Sequence, residues 1–131
     1  MVASQAPEPT GIRTPVIAAV LDVVLVVVFA VIGRASHTEG LTIPGIALTA
    51  WPFLAGLVAG WLITMAWRAP LAPLRTGLGV WALTLIGGML LRAVSGQGVA
   101  VPFVIVAALV LFAFLVGWRA IAALAGRRRA R

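Results

Sequence analysis

The strongest constraint on this chain is a set of four long stretches in which almost every side chain is apolar. They cover residues 16–33, 46–67, 76–92 and 99–119, with short breaks between them. Hydrophobic residues make up 63% of the chain and charged residues only 10%, against about 25% charged in a typical soluble domain. That is too little polar surface to enclose such a core in water, so lipid must be the solvent for most of it. At helical rise the stretches reach roughly 24–33 Å, which matches a hydrocarbon core about 30 Å thick. The third, bracketed by Arg75 and Arg92, is the shortest, so both arginines are expected to snorkel toward headgroups. A backbone facing lipid has to satisfy its own hydrogen bonds, and four strands could not close a barrel. The expected fold is therefore an all-α integral membrane protein, a four-helix transmembrane bundle in contact with the lipid bilayer.

Charge sets the expected orientation. Of 13 charged side chains 10 are basic, and every one of those is arginine. They punctuate apolar segments and form no basic face, so nucleic acid is not the expected partner. With the N-terminus inside, Arg13, Arg68, Arg75, Arg119, Arg127, Arg128, Arg129 and Arg131 lie on the cytoplasmic side, leaving Arg34 and Arg92 outside. This bias places both termini in the cytoplasm. Residues 1–15, rich in Pro and small polar residues, read as a disordered cytoplasmic tail. Residues 120–131 read as a basic tail whose Arg127–Arg131 cluster binds anionic lipid. Gly33-Arg34-Ala35-Ser36-His37 is a poor cleavage site, so the first apolar run is expected to stay as a span. Trp67 and Trp118 fall at cytoplasmic ends, whereas Trp51, Trp61 and Trp81 lie deeper, where an indole N–H needs a partner.

Two loop stretches echo each other. Arg34-Ala35-Ser36-His37-Thr38-Glu39-Gly40-Leu41-Thr42-Ile43-Pro44 aligns without a gap to Arg92-Ala93-Val94-Ser95-Gly96-Gln97-Gly98-Val99-Ala100-Val101-Pro102, at an offset of 58 (92 − 34). Gly60-Trp61 and Gly117-Trp118 are a further trace, one residue out of step. Because the offset contains two spans, the expected arrangement is two parallel helical-hairpin repeats.

The residues able to carry chemistry are few. Asp22 puts a carboxylate inside the first span, and such residues usually face the bundle interior and pair, or mark a pathway. Arg34 shares its helical stripe but is roughly 18 Å away; Arg119 and Arg75 are better placed to pair. A structural ion pair and a proton or cation coupling site are the two readings. In the outer loops Arg34, His37, Glu39, Arg92 and Gln97 form a polar set. A pseudo-twofold relation between the hairpins would bring Glu39 near Arg92, and His37 alone titrates near neutral pH. An ordinary salt-bridged loop and a pH-sensing or anion-binding patch are both consistent with that set. A lone histidine with one glutamate is a poor metal set, and a chain without cysteine has no disulfide or thiolate. Nucleophile–base pairs, paired carboxylates and glycine-rich phosphate loops are missing, so no enzyme activity, metal or cofactor is expected. Packing signals are clearer. Gly56-x-x-x-Gly60 and Ala113-x-x-x-Gly117 would let helix backbones approach, and Pro52, within Trp51-Pro52-Phe53, should kink the second span or leave a carbonyl free.

The Asp22-bearing first span, Gly33-Arg34-Ala35-Ser36-His37-x-Glu39-Gly40, Ala50-Trp51-Pro52-Phe53, Arg75-x-Gly77, and Leu91-Arg92 ahead of Gly96-x-Gly98 together resemble domain-of-unknown-function family 3054 (DUF3054). The resemblance covers residues 16 to 119. It implies a small four-span prokaryotic membrane protein with no assigned activity, and it supplies no catalytic residues. The expected function is a non-enzymatic accessory or assembly component of the bacterial plasma membrane, working as a homo-oligomer or with a membrane-protein partner. The alternative is a small oligomeric solute or ion transporter coupled through Asp22, with Arg34, His37, Glu39 and Arg92 at its outer mouth.

The chain's lack of cysteine makes the orientation directly testable. A single cysteine replacing Ser95 should react with a membrane-impermeant maleimide in intact cells, and one replacing Thr10 should react only after lysis. The reverse pattern would overturn the inward placement of the termini.

Overall fold

The computed structural model describes residues 11–35 and 40–130, and every regular element among them is helical. Helix α1 covers Arg13–Ala35 and α2 covers Ile43–Thr64. A π turn at Pro73–Gly77 runs into α3 at Leu78–Val94. The last span is compound: α4 (Val101–Leu111) passes through a second π turn (Phe112–Val116) into α5 (Gly117–Ala130). Four helices are long and apolar enough to cross a membrane, and the chain is a multi-pass membrane protein.

The helix starts follow from local chemistry. The Thr42 hydroxyl accepts the Gly45 N–H at 3.1 Å, and Pro44 occupies the first turn of α2, where a missing N–H costs nothing. Pro102 has the same place in α4. The α1–α2 and α3–α4 loops each turn through a glycine with positive φ, Gly40 at +78° and Gly98 at +87°, a backbone region that side-chain-bearing residues rarely adopt. At the opposite end, α2 stops at Met65, which is left-handed at φ 51° and returns its N–H to the α2 carbonyls. A 3₁₀ turn at Ala66–Arg68 then leads toward α3.

The buried faces meet along one axis. Val26, Phe53, Leu57, Val80, Ala107, Leu111 and Leu115 form the centre, while Val, Ile and Leu side chains on the outward faces remain exposed to lipid. Near the α1–α2 loop Phe29 meets Phe53 edge-on at 5.1 Å, and Phe103 lies 6.1–6.2 Å from both. The closest helix pair is α2 with α3. A methyl carbon at Gly56 would lie 2.9 Å from the Thr84 carbonyl oxygen, and one at Gly60 would lie 3.3 Å from the Val80 Cα. Gly56 and Gly60 therefore let α2 settle directly on the α3 backbone, as small residues do in lipid, where close dispersion contact drives association.

One packing expectation needs correction. Ala113 and Gly117 do not form a seam within the chain: Ala113 is exposed, and a Cβ at Gly117 would meet nothing within 4 Å. The cause is the π turn at Phe112–Val116, whose extra residue rotates the register and turns Leu115, Val116 and Arg119 inward instead. The helix that carries the fourth span runs on to Ala130. Helix α2 carries on through Pro52, which is buried; Trp51 is 40% exposed, while Phe53 enters the core.

Replacing Gly56 with Leu should destabilise the folded protein by about 1–3 kcal/mol through forced separation of α2 and α3. Gly117→Leu should stay within about 0.5 kcal/mol of the parent. Unfolding of the full chain in bicelles measures both, and equal midpoints for the two variants would contradict the close α2–α3 approach.

Candidate functional site

Asp22 is fully buried on the inward stripe of α1, with Ala18, Val26 and Ala30. Its two oxygens accept four hydrogen bonds. Arg119 donates from Nη1 to Oδ1 at 2.9 Å and from Nη2 to Oδ2 at 2.7 Å, a bidentate ion pair with both side chains at 0% exposure. The Trp118 indole donates to Oδ1 and the Trp61 indole to Oδ2, each at 2.8 Å. A carboxylate offers about four lone-pair sites, so the acceptor capacity of Asp22 is fully used. Charge-assisted, forked geometry of this kind is the strong form of the arginine–carboxylate bond.

Arg119 is equally well occupied. Its Nε donates to the Pro70 carbonyl at 2.8 Å, and Nη1 also reaches the Leu115 carbonyl at 2.9 Å. Its guanidinium lies 4.7 Å from the Trp118 ring centroid, within cation–π range. Thr76 donates to the Ala69 carbonyl at 2.6 Å, steadying the turn that presents Pro70. A small residue makes room: a Cβ at Gly77 would touch the Arg119 Cδ at 3.4 Å. One ion pair thus ties α1, α2, the Pro70 turn and the last span together at the end of the bundle away from the α1–α2 loop.

Of the two partners expected for Asp22, Arg119 holds it; Arg75 is exposed. Trp61 has the indole partner its depth demands, and Trp81 donates to the Ala108 carbonyl at 2.9 Å. Trp118, expected at the cytoplasmic end of the fourth span, reaches inward to Asp22. The Gly60-Trp61 and Gly117-Trp118 echo was the one sequence signal for this, because both tryptophans end on the same carboxylate.

The opposite end holds the second polar group. The Arg34 Nε donates to the Gly40 carbonyl at 3.1 Å and Nη1 to the Thr49 hydroxyl at 3.4 Å. The Arg92 Nε donates to the Gly98 carbonyl, also at 3.1 Å, and its two other nitrogens bond Gln97. Arg92 folds back on its own loop and lies 4.4 Å from the Phe103 ring centroid. Both guanidiniums line one concavity of about 230 Å³, with Thr49, Gln97 and Phe103. His37 and Glu39 lie outside the described residues. Among the described residues no three His, Cys, Asp or Glu side chains converge as a metal would require.

Removing one partner of a buried pair leaves an uncompensated charge in oil, at about 3–5 kcal/mol. Asp22→Ala and Arg119→Leu should each destabilise the protein by that amount, and the double variant by clearly less than their sum. Strict additivity in bicelle unfolding would mean that the two side chains are not coupled.

The chain was compared with known proteins. A family model described as "Protein of unknown function (DUF3054)" matches residues 19–122, a range that contains Asp22, Trp61, Trp118, Arg119 and both loop arginines. No curated protein and no solved structure matches the chain. The match extends over most of the chain and across all four spans, and on that basis the protein belongs to the DUF3054 family.

Proposed function

We propose that this protein is a non-enzymatic accessory or assembly component of the bacterial plasma membrane, a scaffold of two parallel hairpin repeats with both termini cytoplasmic. The observation that carries this reading is the saturation of Asp22. A coupling carboxylate needs an oxygen open to water or to an incoming cation in some state of its cycle. Here both oxygens are occupied by four N–H donors from two arginine nitrogens and two indoles. Those bonds suit a fixed strut between the first and last spans.

The repeat reading draws support from matched positions. Arg34 bonds Gly40 and Arg92 bonds Gly98 with the same atoms at the same distance. The buried stripe Ala18, Asp22, Val26, Ala30 in α1 corresponds, at the 58-residue offset (76 − 18), to the buried Thr76, Val80, Thr84 and Gly88. The eight-to-two arginine distribution supports the inward termini.

The transporter alternative is tested with the same carboxylate. Purified protein in proteoliposomes holding a pH-sensitive dye should pass protons no faster than empty vesicles, and Asp22→Asn should change nothing but stability. In mild detergent the parent should run as an assembly larger than one chain. A proton flux that Asp22→Asn abolishes, with folding intact, would replace the scaffold reading by the transporter; a strictly monomeric parent would remove the assembly role.

A further inference from the structure

Two cavities flank Trp67, at the end of the bundle away from the α1–α2 loop. One is a hollow of about 260 Å³ between the first turn of α1 and the turn that follows α2, with Thr14, Arg68 and Pro70 in its wall. The other is a groove of about 240 Å³ between α1 and α2, walled by Ala19, Val23, Leu57 and Val58. Trp67 lines both.

The chemistry changes from one to the other. The groove is apolar, and Val23 and Val58 on its sides are exposed, so it is open to lipid. Trp61 completes its wall and is fixed there by its bond to Asp22. In the hollow, Arg68 is exposed and makes no hydrogen bond or ion pair with the described residues; the Thr14 hydroxyl and the Trp67 indole N–H are likewise unbonded. Of the chain's three acidic residues, Asp22 alone is described, and Arg119 holds it. Thr14 also lies in the first turn of a 23-residue helix, where the dipole favours negative charge. A small anion would answer Arg68 and leave the groove empty. A second copy of this chain would fill the groove but has no described carboxylate to offer Arg68. A molecule with a phosphate at one end and a hydrocarbon chain at the other satisfies both halves, and a guanidinium matches the oxygen geometry of phosphate.

We infer that these joined cavities bind an anionic phospholipid, with its headgroup phosphate at Arg68, beside Thr14 and Trp67, and one acyl chain along the α1–α2 groove. From Thr14 to Val23 is nine residues (23 − 14), about 13 Å of helix, which carries the chain from headgroup level into the hydrocarbon. A tryptophan at the junction suits that boundary. Neither the scaffold reading nor the sidedness of the bundle enters the inference. The C-terminal arginines, which attract anionic lipid without a groove, are a separate feature.

The test uses the full chain with Arg127, Arg128 and Arg129 replaced by Gln, delipidated in mild detergent and studied by native mass spectrometry. Phosphatidylglycerol should be retained about fivefold better than phosphatidylcholine with the same chains, the attraction of one arginine for an anionic headgroup. Arg68→Gln should erase that preference, whereas Arg75→Gln, exposed at the same end but outside both cavities, should keep it. Val58→Trp should lower retention of both lipids, and Ile63→Trp, exposed on α2 outside the groove, should not. Equal retention of the two lipids by the parent overturns the proposal, as does an Arg75→Gln loss equal to that of Arg68→Gln, which marks diffuse charge attraction. Full retention by a folded Val58→Trp variant also overturns it. So do displacement of phosphatidylglycerol by equimolar glycerol phosphate, which marks a site for free anions only, and a lipid-free dimer that Val58→Trp dissociates, which gives the groove to a second copy. Should a variant fail to fold, the lipid comparison and the glycerol phosphate competition on the parent still decide.

Discussion

A carboxylate and a guanidinium that enter the bundle from opposite ends of the sequence meet where neither could remain alone. Stripping water from either ion costs several kcal/mol, and their mutual attraction offsets this only when the geometry is good and the remaining hydrogen-bonding capacity is filled. Asp22 and Arg119 meet both conditions, with forked contacts at 2.7 and 2.9 Å and further bonds to Trp61, Trp118, Pro70 and Leu115. Much of the rest is arranged around that requirement. The π turn at Phe112–Val116 sets the register that brings Arg119 inward, the Pro70 turn offers a carbonyl, and Gly77 keeps its surface clear of the Arg119 stem. Apolar packing supplies bulk attraction but would tolerate several helix arrangements. A charge pair of this kind tolerates few, because any arrangement that separates the partners leaves one of them unpaired in a low-dielectric interior.

The second constraint is the contact of α2 with α3, which joins the two hairpins through backbone rather than side chains. At Gly56 and Gly60 a Cβ would crowd Thr84, Leu83 and Val80 of α3. The ion pair binds the outer helices of the chain and the glycine seam binds the inner ones, so the bundle is closed in sequence terms at both its edges and its middle.

Much of this was legible in the residues themselves. Long apolar runs required helices, Asp22 in the first run required a partner, and the small residues Gly56 and Gly60 marked a seam. The Arg34–Gly40 and Arg92–Gly98 echo proved to be the same bond made twice. What the residues did not display was register. Phe112-Ala113-Phe114-Leu115-Val116 contains no proline or glycine to announce a π turn, yet that turn decides that Trp118 and Arg119 face inward and that Ala113 and Gly117 do not. Helix periodicity extended from Val101 at 100° per residue fails at this point. The choice between Arg75 and Arg119 was hidden for the same reason, since both sit at plausible depths and only the tertiary register distinguishes them.

The 97-residue separation of Asp22 and Arg119 also imposes an order in time. The carboxylate reaches the membrane with the first helix, and its guanidinium partner leaves the ribosome only after three more spans have been made. At ordinary translation rates of about 5–20 residues per second, that interval is roughly 5–20 s. Throughout it the first helix carries an acid with no Arg119, and Trp61, which arrives earlier, is the first of the native donors available to it. Insertion machinery or water at the headgroup boundary has to shelter Asp22 until then. A chain truncated before its last span never leaves that state, so an unfinished copy stays chemically distinguishable to the cell's quality control by the charge it still exposes.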